Sequence, residues 1–177
     1  MSRRLILLAL ALALSAVETR ASEEERLCMS EKKEAAVLAC RQALRVGLPA
    51  RKASVVRSIL AAELSGLGRG EEALEVYREQ AALAPEDAET QLRLGSALFF
   101  MANKPAEAVP VLQTCLRLSP RNALAYGTLG TALAALEQPP EAVAAFAEAQ
   151  RLDPDYFESR PAARQTYESI QQGRRWP

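Results

Sequence analysis

Residues 123–154 read ALAYGTLGTALAALEQPPEAVAAFAEAQRLDP. The same spacing of leucine, alanine, a large apolar residue and proline occurs twice earlier in the chain, and successive copies lie 34 or 35 residues apart. The equivalent positions are Leu60, Leu94 and Leu129; Ala73, Ala108 and Ala142; Tyr77, Leu112 and Phe146; and Pro85, Pro120 and Pro154. A fixed period of this length indicates small supersecondary units that stack around one continuous core.

Each unit divides into two helical halves separated by a loop. In the third unit, Leu129 and Leu133 lie four residues apart in the first half, and Ala142, Phe146 and Ala149 follow in the second. Apolar residues at this spacing predict one buried face per helix. Proline and glycine interrupt the pattern between the halves, because proline cannot donate an interior helical hydrogen bond. The chain is therefore predicted to be all-α.

The repeated unit resembles the motif of the tetratricopeptide repeat family. The third unit matches best, through Tyr126, Leu129, Gly130, Leu133, Ala142, Phe146, Ala149 and Pro154. The second carries Cys115 where the third has Ala149, and the first is weaker. The resemblance implies a solenoid of helical hairpins, wound into a right-handed superhelix, with an N-terminal helical cap and a C-terminal capping helix. Small residues at Ala61, Gly95 and Gly130 are expected to let the two helices of a hairpin approach closely.

The period defines three repeats, and the residues before and after them form further segments. These are a signal peptide at 1–21, an N-terminal helical cap or degenerate half repeat at 22–53, repeat one at 54–87, repeat two at 88–122, repeat three at 123–156, and a C-terminal capping helix at 157–173.

The first residues have the layout of a secretory leader. Ser2, Arg3 and Arg4 precede an apolar run, and small side chains at Thr19 and Ala21 suit cleavage after Ala21. The alternative is an uncleaved anchor, although the run of roughly a dozen residues is short for a span of about 20. We expect an exported protein, periplasmic or secreted, with no membrane segment after cleavage.

In an exported protein the three cysteines can form a disulfide, because disulfides persist in oxidising compartments. Cys28 and Cys40 are expected on successive helices of the first hairpin. A bridge between them would stabilise the fold by about 3 kcal/mol in the chain-entropy model. The alternative is two buried free thiols, since cysteine packs as a small apolar residue. Cys115 is expected to be buried and reduced.

Composition argues against several classes of function. The net charge is zero, whereas nucleic-acid binding usually needs a basic stripe. The chain contains no histidine, which removes the commonest general base and metal ligand. We find no catalytic constellation and expect neither an enzyme nor a cofactor or metal site.

The resemblance implies that a partner would bind on the concave face, which is lined by the first helix of each pair. The candidate partner-binding residues are Leu92, Arg93, Ser96, Phe100, Leu124, Thr128 and Thr131. Only Arg93 is cationic in this set, so the family's clamp for a peptide carboxylate is not expected.

The favoured function is a non-enzymatic scaffold or adaptor that binds a peptide or protein segment in an envelope-associated setting. The alternative is a structural, self-associating protein in which an edge formed by Phe99 and Phe100 is buried in a homodimer. One of these two phenylalanines is expected to pack between hairpins and the other to face outward. The sequence leaves the identity of the partner open.

Overall fold

The computed structural model describes residues 19–174, and within that range every regular element is a helix, which confirms the all-α prediction. Most of the predicted signal peptide, residues 1–18, lies outside the described part. No helix among the described residues is long and apolar enough to cross a bilayer. The helices are α1 at residues 19–30, α2 (Lys33–Val46), α3 (Ala50–Gly66), α4 (Gly70–Leu83), α5 (Ala88–Phe100), α6 (Pro105–Leu118), α7 (Ala123–Ala135), α8 (Pro139–Leu152) and α9 (Pro161–Gln171).

Two compact units make up the described chain, and the boundary between them falls within α4, after Val76. In the first unit, α2 packs against α3, and a disulfide between Cys28 and Cys40 joins α1 to α2. Of the two alternatives that the sequence leaves open, a bridge or two free thiols, the structure has the bridge. Large side chains that are fully buried in this unit are Val56, Leu64 and Leu74.

A group of ion pairs links α2 to the start of α4. The Glu72 carboxylate accepts hydrogen bonds from Arg69 Nε and from Arg41 Nη2, each at 2.6 Å. Arg69 also donates to Glu34 at 2.9 Å. These hydrogen bonds lower the pKa of Glu72 to about 2, and the bond from Arg69 contributes more than the bond from Arg41.

The second unit contains two helical hairpins, α5 with α6 and α7 with α8, and α6 also packs against α7. The predicted close approaches are present in both. A β-carbon placed on Gly95 would lie 2.7 Å from Leu112, and one placed on Gly130 would lie 3.0 Å from the ring of Phe146. The same glycine contact therefore recurs in successive hairpins, because the residues that form it recur with the period.

The first helix of each of these hairpins begins at an equivalent capping residue. Asp87 accepts a hydrogen bond from the backbone N–H of Thr90, and Asn122 accepts one from that of Ala125, at 3.1 and 3.0 Å. Such side chains satisfy amide donors that have no partner within the helix.

The C-terminal helix α9 packs against α7 and α8, as a capping helix was predicted to do. Phe146, Phe157 and Tyr167 form an aromatic cluster at this contact, with Phe157 and Tyr167 stacked at 5.2 Å between ring centroids. The helix begins at Pro161, later than position 157. The preceding residues form turns that bury Tyr156 and Phe157 instead of extending the helix.

Candidate functional site

The predicted partner-binding residues lie on α5 and α7, the first helices of the two hairpins in the second unit. Leu92, Thr128 and Thr131 are buried, and Arg93 and Ser96 are half-buried. Phe100 and Leu124 are exposed, with 66% and 40% of their surfaces accessible. A contiguous exposed apolar patch is a mark of an interaction surface, whereas single exposed apolar side chains are common.

Two adjacent cavities contain all seven of these residues. The first, which we call the α5 cavity, has a volume of about 290 Å³, and its lining includes Leu92, Arg93, Ser96, Phe100 and Leu124. The second, the α9 cavity, has a volume of about 570 Å³ and includes Phe100, Leu124, Thr128 and Thr131. Phe100 and Leu124 belong to both, so the cavities meet at these two side chains.

The cation and the two phenylalanines of the predicted site have distinct environments. Arg93 is paired with Glu89 on the same helix, at 2.9 Å. Phe99 is half-buried, whereas Phe100 faces outward, and their rings meet edge to face at 4.8 Å between centroids. The aromatic surface that reaches solvent is therefore mainly that of Phe100.

The α9 cavity also contains residues that lie outside the predicted set, chiefly Tyr156, Arg160 and Thr166. Tyr156 is buried, and its hydroxyl lies directly over Gly127, where a β-carbon would be only 1.7 Å away. Burial is the main cause that raises the pKa of Tyr156, while the nearby Arg160 charge opposes the shift. A side chain at position 127 would therefore displace the tyrosine hydroxyl from its place over α7.

Arg160 adds a second cation to the lining of these cavities. Its guanidinium carbon lies 4.7 Å from the centroid of the Tyr156 ring, a cation–π geometry. One of its nitrogens donates to Ser159 Oγ at 2.7 Å, and Ser159 in turn donates to the carbonyl of Tyr156. The two cavities are therefore lined by two arginines, whereas the predicted set contained only Arg93.

The polar side chains of the α9 cavity include three threonines whose hydroxyls are already engaged. The threonine hydroxyls of Thr128, Thr131 and Thr166 each donate to a carbonyl four residues earlier on the same helix. Within residues 19–174, no three His, Cys, Asp or Glu side chains are grouped so as to hold a metal ion. Apolar walls with a few oriented polar groups are typical of a site that holds a ligand.

Comparison with known proteins agrees with this architecture. Residues 99–165 match the family model described as tetratricopeptide repeat, and this segment includes the lining of the α9 cavity except Thr166, together with Phe100, Met101 and Leu124 of the α5 cavity. No curated protein matches the chain.

Solved structures share the fold at low sequence identity. MamA from Desulfovibrio magneticus RS-1 is 20% identical with a TM-score of 0.67, over 88% of this chain and 93% of that one. The first TPR of Spaghetti bound to an HSP90 peptide is 23% identical with a TM-score of 0.61, over 68% and 91%. YrrB, a TPR protein with an unusual peptide-binding site, is 22% identical with a TM-score of 0.62, over 74% and 66%. Residues 99–165 therefore match the tetratricopeptide repeat model, and the chain shares the fold of these solved structures.

Proposed function

We propose that this chain is a non-enzymatic interaction module that binds a peptide or protein segment across the α5 and α9 cavities. The observation that carries the proposal is the pair of side chains common to both cavities, Phe100 and Leu124, which expose apolar surface between two concave spaces. Burying such side chains against a partner is favourable by about 25 cal/mol for each Å² of apolar surface removed from water.

Proteins of the same fold support this assignment. The Spaghetti repeat domain holds an HSP90 peptide, and YrrB is described by its peptide-binding site. In an extended segment, successive side chains point to opposite sides, so alternate residues could enter the two cavities.

We place the protein in an exported, envelope-associated setting, periplasmic or secreted. The basic and apolar leader suits export, and a Cys28–Cys40 disulfide is stable in an oxidising compartment. The leader would be removed after Ala21, which leaves the mature chain without a membrane segment.

Site-specific photocrosslinking in the native compartment tests the proposal. A photoreactive residue at Ser96, inside the α5 cavity, should capture a discrete partner, whereas one at the exposed Gln113 of α6 should not. Leu124→Ala should reduce the capture. Leu118→Ala is the matched control, because Leu118 is equally exposed at 40% but lines neither cavity. Equal capture from both positions would mean that the binding surface lies elsewhere.

Self-association is the second candidate, and the exposure of Phe100 is the observation that favours it. In this case the Phe99–Phe100 edge would be buried between two copies. Light scattering distinguishes the two: a stable dimer that Phe100→Asp converts to a monomer would support self-association, and a monomer at all concentrations would exclude it.

A further inference from the structure

The hydroxyl of Tyr156 lies at the α9 cavity and has no hydrogen-bond partner among the described residues. The side chain lines the cavity, yet only 2% of the residue surface is exposed, and the hydroxyl makes no hydrogen bond to any described residue. The hydroxyl is therefore available to donate a hydrogen bond to a ligand that enters the cavity.

Arg160 likewise has N–H donors that no described residue accepts from. Two other arginines of this unit, Arg93 and Arg164, each lie within 4 Å of a carboxylate, whereas Arg160 forms no ion pair with the described residues. Its one hydrogen bond, to Ser159, uses one of the five N–H donors of a guanidinium. The remaining donors lie at the cavity, beside the ring of Tyr156.

The rest of the cavity selects for apolar groups. Phe100 and Leu124 are exposed on one side, and Pro161 and Ala162 of α9 contribute on the other. The volume of about 570 Å³ lies within the range of known ligand sites, which is roughly 300–1,000 Å³. Because its threonine hydroxyls already donate to their own helix, Tyr156 and Arg160 are the strongest donors available to a ligand.

Both groups donate hydrogen bonds, and one of them is a permanent cation, so the complementary ligand group is a carboxylate. We propose that the α9 cavity binds a segment of the partner protein that inserts a large apolar side chain between Phe100 and α9 and places a neighbouring Asp or Glu carboxylate against Arg160 and Tyr156. This inference rests on the proposed function and specifies the partner's chemistry. It also gives α9 a role in recognition beyond covering the last hairpin.

Peptide binding to the full chain tests the proposal. The probes are two acetylated and amidated peptides, Ser-Gly-Leu-Phe-Asp-Gly-Ser and the same sequence with Asn in place of Asp, whose affinities are compared by titration calorimetry. The Asp peptide should bind about tenfold more tightly, as expected for a charge-assisted hydrogen bond. Replacing Phe with Ala in the Asp peptide should weaken binding by at least about tenfold.

Variants assign the preference to named groups. Arg160→Gln should weaken the Asp peptide about tenfold and leave the Asn peptide unchanged. Tyr156→Phe, which removes only the hydroxyl, should weaken the Asp peptide about threefold to tenfold. Arg164→Gln is the matched control, because Arg164 lies on α9 outside the cavity lining and should leave both peptides unaffected. Circular dichroism confirms that each variant keeps its helical content.

Several results would overturn the inference. These are equal affinity for the Asp and Asn peptides, no binding of either, or an equal loss from Arg164→Gln and Arg160→Gln. A peptide with a free C-terminus that binds while the internal Asp peptide does not would show that the cavity recognises a chain terminus. Tighter binding of dodecanoate than of the Asp peptide would indicate a small amphiphile. Capture at Ser96 with no Asp preference would leave the proposed function standing and reject only this refinement.

Discussion

The hydroxyl of Tyr156 occupies the space that a β-carbon on Gly127 would need, since the two atoms would be 1.7 Å apart. The tyrosine lies in the turn at the end of the third repeat, and the glycine is a buried residue of α7. This single contact places a buried phenol at the α9 cavity, so the shape of the cavity depends on the absence of a side chain at position 127.

Gly127→Ala should destabilise the second unit by up to about 2 kcal/mol. Overpacking of this kind costs about 1–3 kcal/mol, and the better helix propensity of alanine offsets about 1 kcal/mol of that. Urea unfolding followed by circular dichroism measures the change. In a Tyr156→Ala background the same substitution should stabilise the unit by up to about 1 kcal/mol, because the clash is absent and the helix propensity of alanine remains. Gly66→Ala is a second control, since a β-carbon there meets no atom within 4 Å.

The periodic part of the structure was predictable because each repeated residue has a local reason for its position. The contacts of Gly95 with Leu112 and of Gly130 with Phe146 follow from the spacing within one hairpin. The burial pattern along α5 and α7 follows from the same spacing, which is why the seven predicted site residues fall around two adjoining cavities.

Tyr156 and Arg160 could not be found in this way. They lie in and after the turns that follow α8, beyond the last repeated position, and only tertiary packing brings them beside Gly127. Arg93 lies on a repeat helix and is found from the period, whereas Arg160 lies between α8 and α9, where the period gives no position. The available signal was the Ser159-Arg160-Pro161 run, which marked the start of a helix without indicating which neighbour it would face.

Tyr167→Ala should loosen α9 from the second unit. The ring of Tyr167 stacks on Phe157 and meets Phe146 edge to face, at 5.2 and 5.8 Å between centroids. Loss of this burial should increase amide hydrogen exchange throughout α9 by at least about tenfold, because local opening becomes less costly. Gln165→Ala, at an exposed position of the same helix, should leave the exchange rates unchanged. Uniform acceleration across α5 to α8 would contradict a local effect and indicate that the whole unit is destabilised.

Glu72 should make the first unit sensitive to acid. Its pKa of about 2 in the folded chain lies below the ordinary value of 4.5, so its contribution to stability is complete above pH 4.5 and is lost as the pH falls toward 2. Urea midpoints measured between pH 6 and pH 2 should therefore decline less steeply for Glu72→Gln than for the unchanged chain. Glu71→Gln removes an adjacent exposed carboxylate that pairs with no described residue, and it should follow the unchanged chain. Parallel curves for the unchanged chain and Glu72→Gln would show that the Arg69 and Arg41 contacts contribute little in solution.

Reduction of the Cys28–Cys40 bond should destabilise the first unit by about 3 kcal/mol. The bond closes a loop whose ends are 12 residues apart, and a loop of this size restricts the unfolded chain by about that amount. Urea unfolding with and without reductant measures the loss.

The Cys28→Ser/Cys40→Ser double variant should already have the lower stability and should not respond to reductant, which separates the disulfide from any effect on Cys115. Cys115 is buried and free, so protein isolated from its native compartment and unfolded without reductant should present one alkylatable thiol. Three alkylatable thiols would mean that the bond does not form there, and the expectation of an oxidising compartment would lose its chemical support.

The intact mass from the same sample locates the N-terminus: a chain beginning at Ser22 agrees with cleavage after Ala21, and retention of Met1 excludes it.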